Sequence, residues 1–292
     1  MKIRLLLACF AVMMASCSND DNSGNDNPGE NTEKKLREIV QTEFTESGDV
    51  ATTYKISFDD DDRPLSELQY DGGGELVSKR LFVYNNGGQV ESMNYYTITS
   101  GVETPNYSYT VAYDSANRVT EVNDSFIIND ESASSVMTYL YNPDGTILMT
   151  RDMSVGGSTS ILYYTNAAGQ VYKKTTSSGG IEELVYTGNN VLNYSYEGGS
   201  SAFEYDNEHL PKGQHHNTIV NQYNGNITNT MLLGGFMAIG LGKDKYAIKR
   251  TDSNGNVFDY EYQFDAEGYP VKLRYFRNDA NIPSSIREIY YK

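Results

Sequence analysis

The stretch Phe82-Val83-Tyr84-Asn85-Asn86-Gly87-Gly88-Gln89-Val90 decides the fold. It joins an aromatic-rich run to a second apolar run through Asn and two glycines. An Asn or Asp side chain can hydrogen-bond the backbone two residues on, and Gly accepts the positive φ that a tight turn needs. The unit is therefore a β-hairpin. It recurs at Val111–Val119, Tyr139–Ile147, Leu162–Val171 and Tyr262–Val271, with degenerate copies centred on Phe58, Tyr186 and Tyr205. From Tyr84 the turn aromatics follow at 29, 28, 23, 22 and 19 residues, which places the fourth copy on Tyr164.

The flanking runs alternate with period two, as strands do. Tyr260, Tyr262 and Phe264 fall on one face and Glu261, Gln263 and Asp265 on the other. One apolar and one wet face define an antiparallel sheet with a solvated side. The expected fold is all-β: an antiparallel meander of repeated β-hairpins forming a curved or partly closed sheet. The 25 tyrosines and the absence of Trp fit it, since Tyr favours strands while its hydroxyl seeks water or a partner. Rings at a repeated hairpin position belong to cross-strand ladders and a half-buried core before they belong to a ligand surface.

One segment breaks the pattern. Met231–Leu241 is apolar, Gly-interrupted and without alternation, and it predicts a short helix or loop insert near 229–242. Its expected role is a plug over an open end or concave face of the sheet. The alternative is the wall of a ligand pocket.

The beginning of the chain reads as targeting. Lys2 and Arg4 precede the apolar run Leu5–Ala15, and Met14-Ala15-Ser16 leads into Cys17. This is the order of a secretory signal, and the apolar run is too short to span a bilayer. Met14-Ala15-Ser16-Cys17 resembles the lipobox of bacterial lipoproteins, which implies cleavage after residue 16 and lipidation of Cys17. Residues 17–33 lack large apolar side chains, so they predict a lipidated, acidic, flexible tether. Asp20-Asp21 resembles the surface-export signal of Bacteroidota lipoproteins. Residues 34–292 are the repeated-hairpin domain.

Of the two cysteines, Cys9 leaves with the signal, so the mature chain has neither a disulfide nor a thiol pair. Loss of Lys2 and Arg4, with no acid among residues 1–16, takes the net charge from −16 to −18. Such a surface repels nucleic acid.

The aromatic–Asp–x–x–Gly–x–apolar unit resembles the YD repeats of Rhs-type proteins, although this chain is too short for their large enclosing shell. Lipobox, acidic tether, degenerate hairpins and the Tyr205–Pro211 break together resemble a Bacteroidota family of predicted lipoproteins of unknown function with a porin-like β fold. That resemblance implies an outer-membrane, outward-facing, lipid-anchored protein. It brings no catalytic residues. A membrane-spanning barrel is not the expectation, because many outward positions are charged and the strands read as short.

Motifs for a zincin, a P-loop, a nucleophile elbow or a Rossmann site do not occur. His209, His215 and His216 cluster in sequence, but adjacent strand histidines point to opposite faces, so solvated loop positions are expected. Asp59-Asp60-Asp61-Asp62 invites a calcium ion yet lacks the ligand spacing of an EF-hand loop. Asp114-Ser115-Ala116 resembles a short Bacteroidota O-glycosylation motif. No catalytic, cofactor or metal residue is assigned, and no cofactor is expected. The leading reading is a non-enzymatic surface lipoprotein that binds glycan or peptide, or is structural. The alternative is a carboxylate-based hydrolase of extracellular glycans.

Overall fold

The computed structural model describes residues 33–128, 131–209, 244–278 and 280–292. Among them are eighteen strands and no helix. They are β1 (Leu36–Phe44), β2 (Val50–Phe58), β3 (Pro64–Asp71), β4 (Leu76–Tyr84), β5 (Val90–Thr99) and β6 (Val102–Tyr113). Then follow β7 (Val119–Ile128), β8 (Glu131–Tyr141), β9 (Thr146–Met153), β10 (Gly157–Thr165), β11 (Val171–Thr176) and β12 (Ile181–Thr187). The last six are β13 (Asn190–Tyr196), β14 (Gly199–Tyr205), β15 (Ala247–Asp252), β16 (Val257–Phe264), β17 (Pro270–Arg277) and β18 (Ser285–Tyr291).

Each strand pairs antiparallel with the next, and β1 also pairs with β18, through Ile39 opposite Ile289 and Gln41 opposite Arg287. The expected curved or partly closed sheet is in fact a closed barrel. Closure removes the two rows of unpaired N–H and C=O groups that an open meander would expose. The insert near 229–242 lies outside the described residues, as do Cys17 and the tether.

The start of β1 and the end of β18 sit at one end of the barrel. There the Lys292 amide donates to the Lys35 carbonyl at 2.8 Å, and the Leu36 amide donates to Asp62 Oδ1 at 2.6 Å. Every even strand ends at this terminal end, and most end in the repeat residues. Asn85 Oδ1 accepts the amides of Gly87 and Gln89; Asp114, Asn166 and Asp265 repeat the pattern at 2.9–3.0 Å. Three residues after each Asx the backbone turns to positive φ: Gly88 at 77°, Gly169 at 75°, Gly268 at 83° and, in one copy, Asn117 at 61°. That is the position where Gly, or Asn at modest strain, is needed.

The tyrosine at or beside the end of an even strand, followed by an Asx in four copies of six, has a structural task. The hydroxyls of Tyr84, Tyr113, Tyr141, Tyr186, Tyr205 and Tyr291 donate to the carbonyls of Pro64, Val90, Val119, Val171, Val191 and Pro270 at 2.5–2.9 Å. Five of these acceptors open the preceding odd strand, and Val191 is the second residue of β13. Register shifts by one residue at the end of most even strands, as at Val83/Tyr84, Ala112/Tyr113 and Glu204/Tyr205. A bulge interrupts the ladder locally, and the hydroxyl bonds the chain back across it. In the fourth copy this residue is Thr165, whose hydroxyl reaches Gly145 O at 2.5 Å. Tyr164, one residue earlier, faces outward beside Tyr172.

Alternation sorts the two faces. Inward lie Tyr109, Val111, Val122, Met137, Tyr139, Met149 and Tyr163, all buried, in a cluster running from β4 to β14. A second cluster around Leu36, Ile39, Ile56, Tyr246 and Ile289 seals the β1–β18 seam. Outward lie Lys173–Glu183, Lys272–Glu288 and Arg274–Glu261, cross-strand ion pairs at 3.0–3.8 Å.

Tyr141→Phe keeps the ring and strands the Val119 carbonyl. A lost hydrogen bond of this kind costs about 1 kcal/mol, so the melting temperature falls by about 2–4 °C. An unchanged midpoint by calorimetry would show that the hydroxyl bond contributes nothing.

Candidate functional site

The inward face carries charge as well as rings, which the sequence reading did not single out. Register opposes Glu67 to Arg80, Asp124 to Ser135 and Lys174 to Glu182. Each group is matched: Glu67–Arg80 at 2.9 Å, Lys174–Glu182 at 2.7 Å and Arg151–Asp124 at 3.0 Å. Asp124 also accepts the Ser135 amide and hydroxyl, and Arg151 Nε donates to that hydroxyl at 2.7 Å. Tyr194 donates to Glu182 at 2.8 Å. Buried charges persist only when paired in this way. The signal was present in the alternation, since Arg80 shares a face with Phe82 and Tyr84.

Burial holds the Glu67 carboxyl above the ordinary range, against the pull of Arg80. Burial, helped by Asp124, lifts the Tyr107 hydroxyl to about 12. Among the described residues Glu67 is the one carboxyl so raised. What faces it is a guanidinium. Glycoside hydrolysis needs a second carboxylate across a substrate gap, and the Glu67–Arg80 pair does not supply one.

The aspartate run is a turn rather than a cage. Asp59 accepts the amides of Asp61 and Arg63 and pairs with Arg63 Nη2 at 2.7 Å. Asp61 meets the same guanidinium at 2.9 Å, and Asp60 meets Lys292 at 2.5 Å. Asp62, at φ 59°, takes the place that Gly holds in other copies and turns inward to the start of β1. Among the described residues no three His, Cys, Asp or Glu side chains converge as a metal site. His209 stacks on Phe264, with ring centroids 4.4 Å apart, and its Nδ1 lies 2.7 Å from Asp206. His215 and His216 lie outside the described residues. Ser115 is exposed in its turn.

A groove of 480 Å³ lies over β5, β6, β7 and β8, within the range of small-ligand sites. Asn94, Ser108, Ser125 and Ser134 line it from the outward alternation set, and Tyr95, Tyr107 and Phe126 from the inward set. No lining residue is charged. The register shift between Tyr95 and Tyr96 adds Asn106 to the wall.

No protein-family model matches the chain, and no curated protein matches it. Among solved structures the chain is similar to a porin-like protein from Bacteroides vulgatus ATCC 8482. The two share 13% identity and a TM-score of 0.42 over 88% of this chain and 99% of that one. A porin-like protein from Bacteroides uniformis ATCC 8492 gives 11% identity and a TM-score of 0.42, over 88% and 98% of the two chains. A DUF3836 family protein from Bacteroides vulgatus matches 34% of this chain and 96% of its own, at 16% identity and a TM-score of 0.22.

The turn carboxylates set an acid limit. The Arg118 amide and then its guanidinium hold Asp114 below its ordinary pKa; the Thr146 hydroxyl does so for Asp144, and the Asn256 side chain for Asp252. A lowered folded pKa gives stability that is complete above the unfolded value, about 4, and is lost as pH falls through the folded one. Glu67 runs the opposite way, because its protonation relieves a buried charge. The melting temperature should therefore hold above about pH 5 and fall below about pH 4. A midpoint flat to pH 2 would contradict this linkage.

Proposed function

We propose that the chain is an exported envelope protein, lipid-anchored through Cys17 at the outer membrane and facing the exterior, whose barrel stands in water as a non-enzymatic binding module. One observation carries the reading: the outer wall is charged halfway along its strands. Lys55, Lys79, Lys173, Glu183, Glu261, Lys272 and Glu288 all project there. A lysine or arginine on the lipid face of a barrel costs about 2–4 kcal/mol at mid-bilayer. Partners in cross-strand pairs do not remove that penalty along a whole wall.

Strand length argues the same way. β1, β2, β4 to β8 and β10 run to 9–12 residues, but β11 and β15 have 6 and β12, β13, β14 and β18 have 7, so that part of the wall is short. A spanning strand needs about 9–11. A barrel of this kind reaches a membrane through something other than its wall. The lipobox-like Met14-Ala15-Ser16-Cys17 and the acidic residues 18–33 provide the anchor and the tether. Several acyl chains hold a protein on a bilayer far better than one.

Cys17→Ser should move the protein from the membrane fraction to the soluble fraction without detergent, with its sheet circular dichroism intact. Retention of folded Cys17→Ser in the membrane until detergent is added would mean that the wall itself contacts lipid.

A further inference from the structure

The groove over β5–β8 is built from one straight row of short polar side chains. Register sets Asn94 opposite Ser108, Ser108 opposite Ser125, and Ser125 opposite Ser134. Neighbouring strands lie about 4.8 Å apart, so the row offers an amide and three hydroxyls at a nearly constant step across the strands. Taller groups bound it: Tyr96, and Asn106 thrust out by the bulge. Lys79 lies 5.0 Å from the centre of the Tyr96 ring and is itself paired with Glu103 at 2.5 Å, which fixes the ring beside the trough.

These polar groups are unspent. The side chains of Asn94, Asn106, Ser108 and Ser125 take no part in hydrogen bonds within the described residues. Elsewhere on the wall such groups satisfy each other, as Ser57 Oγ and Ser66 Oγ do at 2.7 Å. The groove is also uncharged in a chain of net charge −16. A charged ligand would find no counter-ion in the trough. An extended peptide recognised through its backbone needs a free strand edge, and β5 to β8 are each paired on both sides. Recognition must therefore be made by side chains.

We infer that this groove binds a neutral oligosaccharide laid across the strands, with its hydroxyls on the Asn94–Ser108–Ser125–Ser134 row and one sugar face against Tyr96. This rests on the reading of the outer wall as water-facing and names the ligand class for it.

The test is isothermal titration of the mature chain carrying Cys17→Ser with cello-, xylo-, manno- and malto-hexaose. Hexagalacturonic acid and the peptide (Gly-Ser)3 serve as controls. At least one neutral hexasaccharide should bind and the controls should not. Tyr96→Ala and Asn106→Ala should each weaken binding about tenfold, the effect of one lost ring or amide contact. Ser125→Lys, which fills the trough with charge, should abolish binding, and Leu192→Ala on the wall of β13 should leave it unchanged. Binding by no neutral sugar, binding by the controls instead, or binding that survives Ser125→Lys would each overturn the inference. If sugars fail while Cys17→Ser is still released from membranes, the ligand class is wrong and the tethered barrel stands.

Discussion

The pairing of β1 with β18 is the constraint on which the rest depends. It gives every described strand two neighbours and so leaves none of them as an edge on which another chain could add a strand. It also brings the start of β1 and the end of β18 to one end, where Asp62 accepts from the Leu36 amide and the Lys35 carbonyl from the Lys292 amide. Among the described strands the backbone donors and acceptors are largely used internally, which leaves side chains as the groups the wall presents.

Closure also divides polar groups into two kinds. Inside, the charges of Asp124, Arg151, Glu67, Arg80, Lys174 and Glu182 are matched at short range among tyrosine rings. Removing one member of such a set leaves its partner uncompensated, which is strongly destabilising. Outside, ion pairs such as Lys272–Glu288 are partly solvated, and each is worth little. In the proposed reading their importance lies in making the wall a surface that prefers water to lipid. The groove over β5–β8 belongs to neither kind, because its polar groups are uncharged and uncommitted.

The hairpin unit was legible because its physics is local. Asn85, the two glycines after it and the tyrosine before it act within a handful of residues, and the period-two alternation follows directly. The hydroxyl acceptors were not legible, since each lies at the far end of a preceding strand, 14–23 residues away. Tyr164 shows the limit: the aromatic run points to it, but the register shift gives its place to Thr165. Closure was also hidden, because Ile39 and Ile289 are apart by almost the whole domain. Asp62 was read with its neighbours as one acidic run, whereas its positive φ and inward turn set it apart. The groove needs four registers at once and a bulge at Asn106, and none of these is written in any single strand.

Closure of the barrel can be measured directly in solution. Spin labels on Val40→Cys and Glu288→Cys, in a chain carrying Cys17→Ser, would sit on opposed outward positions of β1 and β18. Adjacent strands about 4.8 Å apart predict strong dipolar broadening in the continuous-wave spectrum of the folded protein, lost on denaturation. A folded, sheet-rich protein whose double-labelled spectrum equals the sum of its single-labelled spectra would contradict closure.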